Sequence, residues 1–127
     1  MKLVWSNGCF DILHRGHLEM LKYAKSMGDY LLVAIDSDTR VKHLKGQSRP
    51  INDQDDRKFM LESLRYVDEV VVFESSHGLV DVVNLYSPDL MIVGSDYRDK
   101  TVIGSEHAKE IHFFEKINGY STTRTIQ

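Results

Sequence analysis

The 127-residue sequence contains one cysteine, two prolines and no apolar run long enough to span a membrane as a helix. Cys9 has no second cysteine to pair with, so a scaffold held by internal disulfides is excluded. The first residues lack the apolar segment of a signal peptide. We therefore expect a cytoplasmic protein without a membrane partner.

An excess of positive charge is also missing. The 16 Lys and Arg residues are outnumbered by 19 Asp and Glu residues, which gives a net charge of −3. Because nucleic-acid binding usually needs a basic face, we expect no nucleic-acid partner. The length predicts a single domain over residues 1–127, large enough for an ordinary hydrophobic core.

Short apolar runs alternate with helical patterns along the chain. Strands are predicted over residues 3–5, 30–35, 69–73, 90–93 and 111–114. Helices are predicted over residues 16–27 and 78–86, after an Asp53 cap, after a Ser105 cap and from residue 121. The helix after Asp53 is expected to turn Phe59, Met60, Leu64 and Val67 inward. Residues 36–52 and 94–104 are predicted to be polar loops.

This alternation predicts an α/β fold: one Rossmann-like domain with a five-stranded, mainly parallel sheet and helices on both faces. In such sheets ligands bind beyond the carboxyl ends of the strands, where the strand order reverses. The polar loops after the first, second and fourth strands are expected at that edge.

The loop after the first strand carries the most specific pattern, Asn7-Gly8-Cys9-Phe10-Asp11 followed by His14-Arg15-Gly16-His17. Two imidazoles three residues apart at a helix start lie on one side, near free backbone N–H groups that favour anions. Gly16 lets a ligand approach the backbone closely. This arrangement suits a triphosphate. Two alternatives are a pair of solvent-exposed capping histidines and a metal site, although zinc needs three or four ligands.

This string resembles the signature of the small cytidylyltransferase-like nucleotidyltransferases, Gly-x-Phe-Asp followed by His-x-Gly-His. Two further segments are similar to family elements: residues 56–58 to a Glu/Gln-x-Arg region, and residues 119–123 to Gly-x-Ser-Thr-Thr. Class I aminoacyl-tRNA synthetases share His-x-Gly-His. They are far longer, however, and need a Lys-Met-Ser-Lys-Ser-like loop that is not found here.

Within the family, residues 45–52 (Lys-Gly-Gln-Ser-Arg-Pro-Ile-Asn) resemble a segment of the bacterial heptose 1-phosphate adenylyltransferases. Those enzymes often carry a fused sugar kinase. Because the present sequence includes no kinase segment, we expect any kinase to be a separate protein. The length is similar to that of glycerol-3-phosphate cytidylyltransferase. Cys9 and Lys116 depart from that enzyme's motifs, where Thr and Arg are usual.

The resemblance implies a reaction in which a phosphate oxygen of the acceptor attacks the α-phosphorus of a nucleoside triphosphate and pyrophosphate leaves. The attacking oxygen is already an anion, so alignment and charge neutralisation suffice. The implied catalytic residues are His14, His17, Lys42 and Lys45. The implied nucleotide-binding residues are Gly8, Cys9, Phe10, Gly16, Arg57, Gly94, Asp96, Gly119, Ser121, Thr122 and Thr123. The implied acceptor-binding residues are Asp11, Arg49 and Lys116.

The resemblance further implies ATP or CTP and a sugar or polyol phosphate as substrates, Mg²⁺ entering with the triphosphate, and a homodimer. No metal ligand on the protein is expected. Arg57 has a simpler alternative, an ion pair with Asp53 or Asp56 on its own helix. The alternative from another functional class is a sensor that binds a nucleotide without turning it over.

Overall fold

The computed structural model describes residues 1–115, apart from the side chain of Asp96. The strands are β1 (Leu3–Gly8), β2 (Tyr30–Asp36), β3 (Glu69–Phe73), β4 (Leu90–Gly94) and β5 (Glu110–Phe114). The helices are α1 (Arg15–Ser26), α2 (Asp38–Lys45), α3 (Gln54–Glu62) and α4 (Ser76–Tyr86), with 3₁₀ turns at Ser95–Tyr97 and Ser105–His107. The helix predicted from residue 121 lies outside the described residues. No described helix is both long and apolar enough to cross a membrane.

All five strands run parallel in the order β3-β2-β1-β4-β5. The chain leaves β1 toward β2 and β3, then crosses back to place β4 on the other side of β1. The strand order therefore reverses between β1 and β4, and their carboxyl ends flank the expected ligand crevice. The predicted α/β class and Rossmann-like architecture are confirmed.

Two hydrophobic cores cover the two faces of the sheet. In β2, Leu31, Val33 and Ile35 pack into the core that contains Leu21 of α1 and Leu61 of α3. The intervening Leu32 and Ala34 pack into the second core, with Leu79 and Val83 of α4. Strand side chains alternate between faces, so a strand that is apolar throughout is covered by helices on both sides.

Residues 36–52, predicted to be a polar loop, contain the helix α2, which the sequence pattern missed. Ser37 caps α2 by accepting a hydrogen bond from the backbone N–H of Arg40, and Gly46 ends the helix with a φ of +104°. Only Val41 of α2 is buried, so the helix has almost no apolar periodicity.

Two predictions about helix ends and faces are wrong. Phe59 and Met60 point outward, with Phe59 71% exposed, because α3 turns Arg57 and Leu61, four residues apart, toward the protein interior. Leu64 and Val67 do pack against the core. The turn after Gly104 has no side-chain cap, so Ser105 does not cap it.

Candidate functional site

The site lies at the carboxyl ends of β1 and β4. Gly8 and Gly94 each end their strand, three residues beyond the paired residues Trp5 and Met91. A Cβ on Gly8 would lie 3.2 Å from Cε2 of Phe10, so glycine leaves room for that ring. The two glycines therefore flank the point where the strand order reverses.

His14 and His17 form a reciprocal cap at the start of α1. Nδ1 of His14 accepts from the backbone N–H of His17 (3.4 Å), and Nδ1 of His17 accepts from that of His14 (3.3 Å). The rings are stacked, with centroids 3.8 Å apart. Because Nδ1 is the acceptor in both rings, a neutral imidazole here carries its proton on Nε2. The described contacts therefore show the capping role of both side chains, and the phosphate-binding prediction stays a prediction.

The start of α1 is suited to an anion. Within the described residues, the first turn of α1 carries no acidic side chain, and Gly16 is its second residue. The positive end of the helix dipole thus meets no built-in negative charge there. Phe10 packs its ring 5.2 Å from that of His17.

Asp11 joins this loop to the segment before α3. Its buried carboxylate accepts hydrogen bonds from Nε of Arg49 (3.1 Å) and from the backbone N–H groups of Ile51 and Asn52 (2.8–2.9 Å). Burial raises the pKa of the Asp11 carboxyl, but the hydrogen bonds from Asn52, Ile51 and Arg49 outweigh it and hold the pKa below its usual range. Asp11 is therefore a charged anchor for residues 49–52.

Arg49 is the other half of this ion pair. The residue is only 8% exposed, and its Nη2 is buried without a hydrogen-bond partner among the described residues. A buried guanidinium nitrogen of this kind costs free energy unless some group accepts from it. Its predicted role in binding the acceptor stays a prediction.

Arg57 is buried beneath the site, only 1% exposed. Its guanidinium donates to the carbonyl oxygens of Cys9 (2.9 Å) and Asp36 (2.7 Å), at the ends of β1 and β2. It also donates to the Asn52 carbonyl and pairs with the carboxylate of Asp38 at 2.8 Å. The described ion pair is thus with Asp38 rather than with Asp53 or Asp56. The predicted contact with nucleotide phosphates stays a prediction, whereas the described contacts all lie inside the protein.

Lys42 and Lys45 are exposed on α2, beside the carboxyl end of β2. Burial raises the pKa of the Cys9 thiol, although the positive charges of Lys45 and Arg57 act in the opposite direction. Lys45 is therefore close enough to influence the β1 loop electrostatically. Cys9 is a protonated, partly buried thiol, in line with its interpretation as a packing residue.

Several predicted site residues lie outside the described part of the chain. These are the side chain of Asp96 and residues Lys116, Gly119, Ser121, Thr122 and Thr123. Among the described residues, no group of three or more His, Cys, Asp or Glu side chains is placed to hold a metal ion.

Sequence reasoning missed Asn52 and Asp38 as site residues. Asn52 hydrogen-bonds to Asp11 and to Arg57, and Asp38 is the partner of Arg57. Asp38 follows a serine directly after an apolar strand, and such a serine is a helix-cap signal. Asn52 closes the family-like segment 45–52, which is the signal that could have found it.

The all-parallel sheet, with its strand order reversing between β1 and β4, defines a Rossmann-like α/β domain as the class of this protein. A comparison with known families agrees. The chain belongs to the cytidylyltransferase-like family, which it matches over residues 5–126. The resemblance noted from the motifs is confirmed.

Its curated relatives include two proteins named bifunctional protein HldE. The chain is 48% identical over 126 residues to one from Helicobacter pylori, and 45% identical over 126 residues to the one from a Nitratiruptor species. In both cases 99% of this chain is covered but only 27% of the relative, so the chain spans about a quarter of their length.

Solved structures give the same fold. A lipopolysaccharide core biosynthesis protein from Thermoplasma volcanium superposes with a TM-score of 0.76 at 28% identity, covering 93% of this chain and 99% of that one. Pantothenate synthetase from Thermus thermophilus superposes with a TM-score of 0.63 at 14% identity, covering 99% of this chain and 64% of that one. At that identity the second match supports the fold alone.

Proposed function

We propose that this chain is a nucleotidyltransferase that transfers AMP from ATP to a heptose 1-phosphate and releases pyrophosphate. The observation that carries the proposal is the reciprocal His14–His17 cap at the start of α1, where the strand order reverses. The family match supports the reaction class. The substrate choice is supported by the likeness of residues 45–52 to bacterial heptose 1-phosphate adenylyltransferases and by the HldE relatives.

The reaction needs no nucleophile on the protein. An oxygen of the acceptor phosphate attacks the α-phosphorus of ATP, a new P–O bond forms, and the bond to pyrophosphate breaks on the opposite side. His14 and His17 would donate from Nε2 to phosphate oxygens as negative charge builds up. Preorganised donors of this kind stabilise the transition state because they need no reorganisation at the moment of reaction.

The basic side chains around the histidines have distinct proposed tasks. Lys42 and Lys45, exposed on α2, would reach toward the α-phosphate. Arg49, held through Nε by Asp11, would contribute its positive charge to binding the acceptor phosphate. The motif residues at 119–123 would complete the triphosphate site.

Mg²⁺ is proposed to enter as part of the substrate, MgATP. Three described carboxylates near the site are each paired with an arginine: Asp11 with Arg49, Asp36 with Arg40 and Asp38 with Arg57. The metal would neutralise charge on the triphosphate and its leaving group. The described side chains are thus suited to hold phosphates rather than to form a metal cage.

The test is pyrophosphate release with Mg²⁺, with ATP and CTP each offered against heptose 1-phosphate and glycerol 3-phosphate. The proposal predicts release with ATP and the heptose. Release only with CTP and glycerol 3-phosphate would replace it with a glycerol-3-phosphate cytidylyltransferase. Nucleotide binding without release in any combination would favour the nucleotide sensor.

We also propose a homodimer that works in the cytoplasm, where ATP is available. The homodimer is supported by the family resemblance and by the exposed apolar side chains of Phe59 and Leu85. Light scattering of the purified chain tests the dimer: a monomer mass at micromolar concentration contradicts it. Cell fractionation tests the location, and recovery outside the soluble fraction contradicts it.

A further inference from the structure

We infer that Asn52 is a positioning residue for the histidine pair: it fixes the segment on which His17 packs, without touching the substrates. The kinetic part of this inference rests on the proposed transfer reaction. The structural part rests on the hydrogen bonds of Asn52 and on the packing of Phe10 against His17.

Asn52 makes three hydrogen bonds through three different groups. Its backbone N–H donates to Oδ1 of Asp11 and its Nδ2 donates to the Asp11 carbonyl, both at 2.8 Å. Its own carbonyl accepts from Nε of Arg57 at 3.0 Å. Asn52 therefore binds both the main chain and the side chain of Asp11, and it links Asp11 to the buried Arg57.

Phe10 lies between the two points that this network holds. Arg57 binds the carbonyl of Cys9 on one side, and Asn52 binds Asp11 on the other. Phe10 has a φ of +49°, a left-handed conformation that is unfavourable for a bulky side chain. Such a conformation persists only where the surroundings enforce it.

The Phe10 ring transmits this constraint to the site. It is buried and packs 5.2 Å from the ring of His17, which stacks on His14. If the Asn52–Asp11 bonds are lost, Phe10 can relax, and the imidazoles lose their fixed orientation. Since misplaced donors act mainly in the transition state, kcat should suffer more than KM.

The test compares Asn52→Ala and the nearly isosteric Asn52→Asp with wild type. Asn52→Ala removes only the Nδ2 bond, and Asn52→Asp replaces that donor with an acceptor facing the Asp11 carbonyl oxygen. The matched control is Asn84→Ala, at an exposed position of α4. The measurements are thermal unfolding, steady-state kinetics with ATP and the heptose, and NMR of the histidine imidazoles without nucleotide.

For a folded Asn52→Ala protein we expect kcat to fall about tenfold, the effect of losing roughly one well-placed hydrogen bond, with KM for ATP within about twofold. The imidazole signals of His14 and His17 should shift, while that of the exposed His77 should not. Asn52→Asp should act in the same direction, and Asn84→Ala should leave kcat and the signals unchanged.

Unchanged His14 and His17 signals in a folded variant would overturn the inference, as would loss of folding in both Asn52 variants. If wild type releases no pyrophosphate, the proposed function fails. The NMR comparison still decides the positioning role in that case.

Discussion

The two ends of the parallel sheet leave opposite backbone groups unpaired, and side chains of opposite charge bind those groups. At the amino ends of the strands, backbone N–H groups need acceptors, and at the carboxyl ends, carbonyl groups need donors. Aspartates serve the first end: Asp29, Asp68 and Asp89 accept from the N–H groups of Lys2, Leu31 and Leu3. Arg57 serves the second end by donating to carbonyl oxygens after β1 and β2.

The counter-charges differ as well. Asp89 pairs with Lys109, whose side chain is 75% exposed, so that pair stays hydrated. Asp11 and Asp38 pair with Arg49 and Arg57, which are buried and linked to each other through Asn52. The Asp89–Lys109 pair at the amino end is therefore separable, whereas the two ion pairs at the carboxyl end belong to one interlocked network. The proposed phosphate site lies at the carboxyl end, where the buried charges are linked and a change at one affects the others.

The largest test of this contrast is to remove one cation from each end. Arg57→Met should lower the free energy of unfolding by about 3–5 kcal/mol, because it leaves buried carbonyls and the Asp38 carboxylate without their donor. Lys109→Met should cost a small fraction of that, as expected of an exposed ion pair. Urea denaturation of the two variants measures both values. Equal losses would refute the contrast between the ends.

The second test concerns the histidine pair. His14→Ala with His17→Ala should reduce kcat for pyrophosphate release by about 10²–10³, the effect of losing preorganised donors to phosphate oxygens. Steady-state kinetics with ATP and the heptose measure the loss. His43→Ala, at an exposed position on α2, is the matched control and should retain full activity.

His14→Asn separates the two tasks of His14. Asparagine is a good helix cap, so this variant should keep the stability that His14→Ala loses, about 1 kcal/mol. It should nevertheless stay as inactive as His14→Ala, because the amide does not reproduce the second ring nitrogen. Recovery of activity together with stability would mean that capping is the only task of His14.

The third test uses pH to compare Asp11 with Asp89. Both carboxyls have a pKa below the usual value of 3.8. For Asp11, the effect of burial is outweighed by hydrogen bonds from Asn52, Ile51 and Arg49, and for Asp89 the chief cause is its bond from the Leu3 N–H. A lowered native pKa adds stability that is complete above pH 3.8 and disappears as the pH falls through the native value.

At neutral pH, Asp11→Asn should lower the free energy of unfolding by about 1–3 kcal/mol, because it leaves the Arg49 charge unpaired. Asp89→Asn should have a smaller effect. Both differences from wild type should shrink below about pH 4. Urea denaturation at a series of pH values provides the comparison. A pH-independent difference for Asp11→Asn would contradict the charged state assigned to Asp11.

The same contrast explains which parts of the molecule are predictable from sequence. The pattern predicts a strand at residues 69–73 with the bounds that β3 has, because four consecutive apolar residues, 70–73, lie between polar residues. The predicted Asp53 cap is confirmed by its bond to the Asp56 N–H. Such signals are local, within a few residues of one another.

The carboxyl-end network has no local signal. Asn52 and Asp11 are 41 residues apart, and Arg57 and Cys9 are 48 apart. Hydrophobic periodicity counts Arg57 as a solvent-facing residue, so it assigns the inward face of α3 to Phe59 and Met60 instead. The family motifs predict which residues belong to the site, but the contacts among those residues require the folded chain.

The smallest test is at the amino end, where Glu69 accepts hydrogen bonds from the hydroxyls of Tyr30 and Tyr86, both at 2.7 Å. The bond to Glu69, with burial and the charges of Glu69 and Asp68, raises the pKa of Tyr30 from 10.0 to about 12. A raised native pKa adds stability that is complete below pH 10 and is lost as the pH rises through about 12.

Wild type should therefore lose stability more steeply than Tyr30→Phe between these two pH values. Urea denaturation across that range, with the tyrosinate absorbance followed in parallel, measures it. Parallel curves for the two proteins would show that Glu69 does not hold the Tyr30 proton.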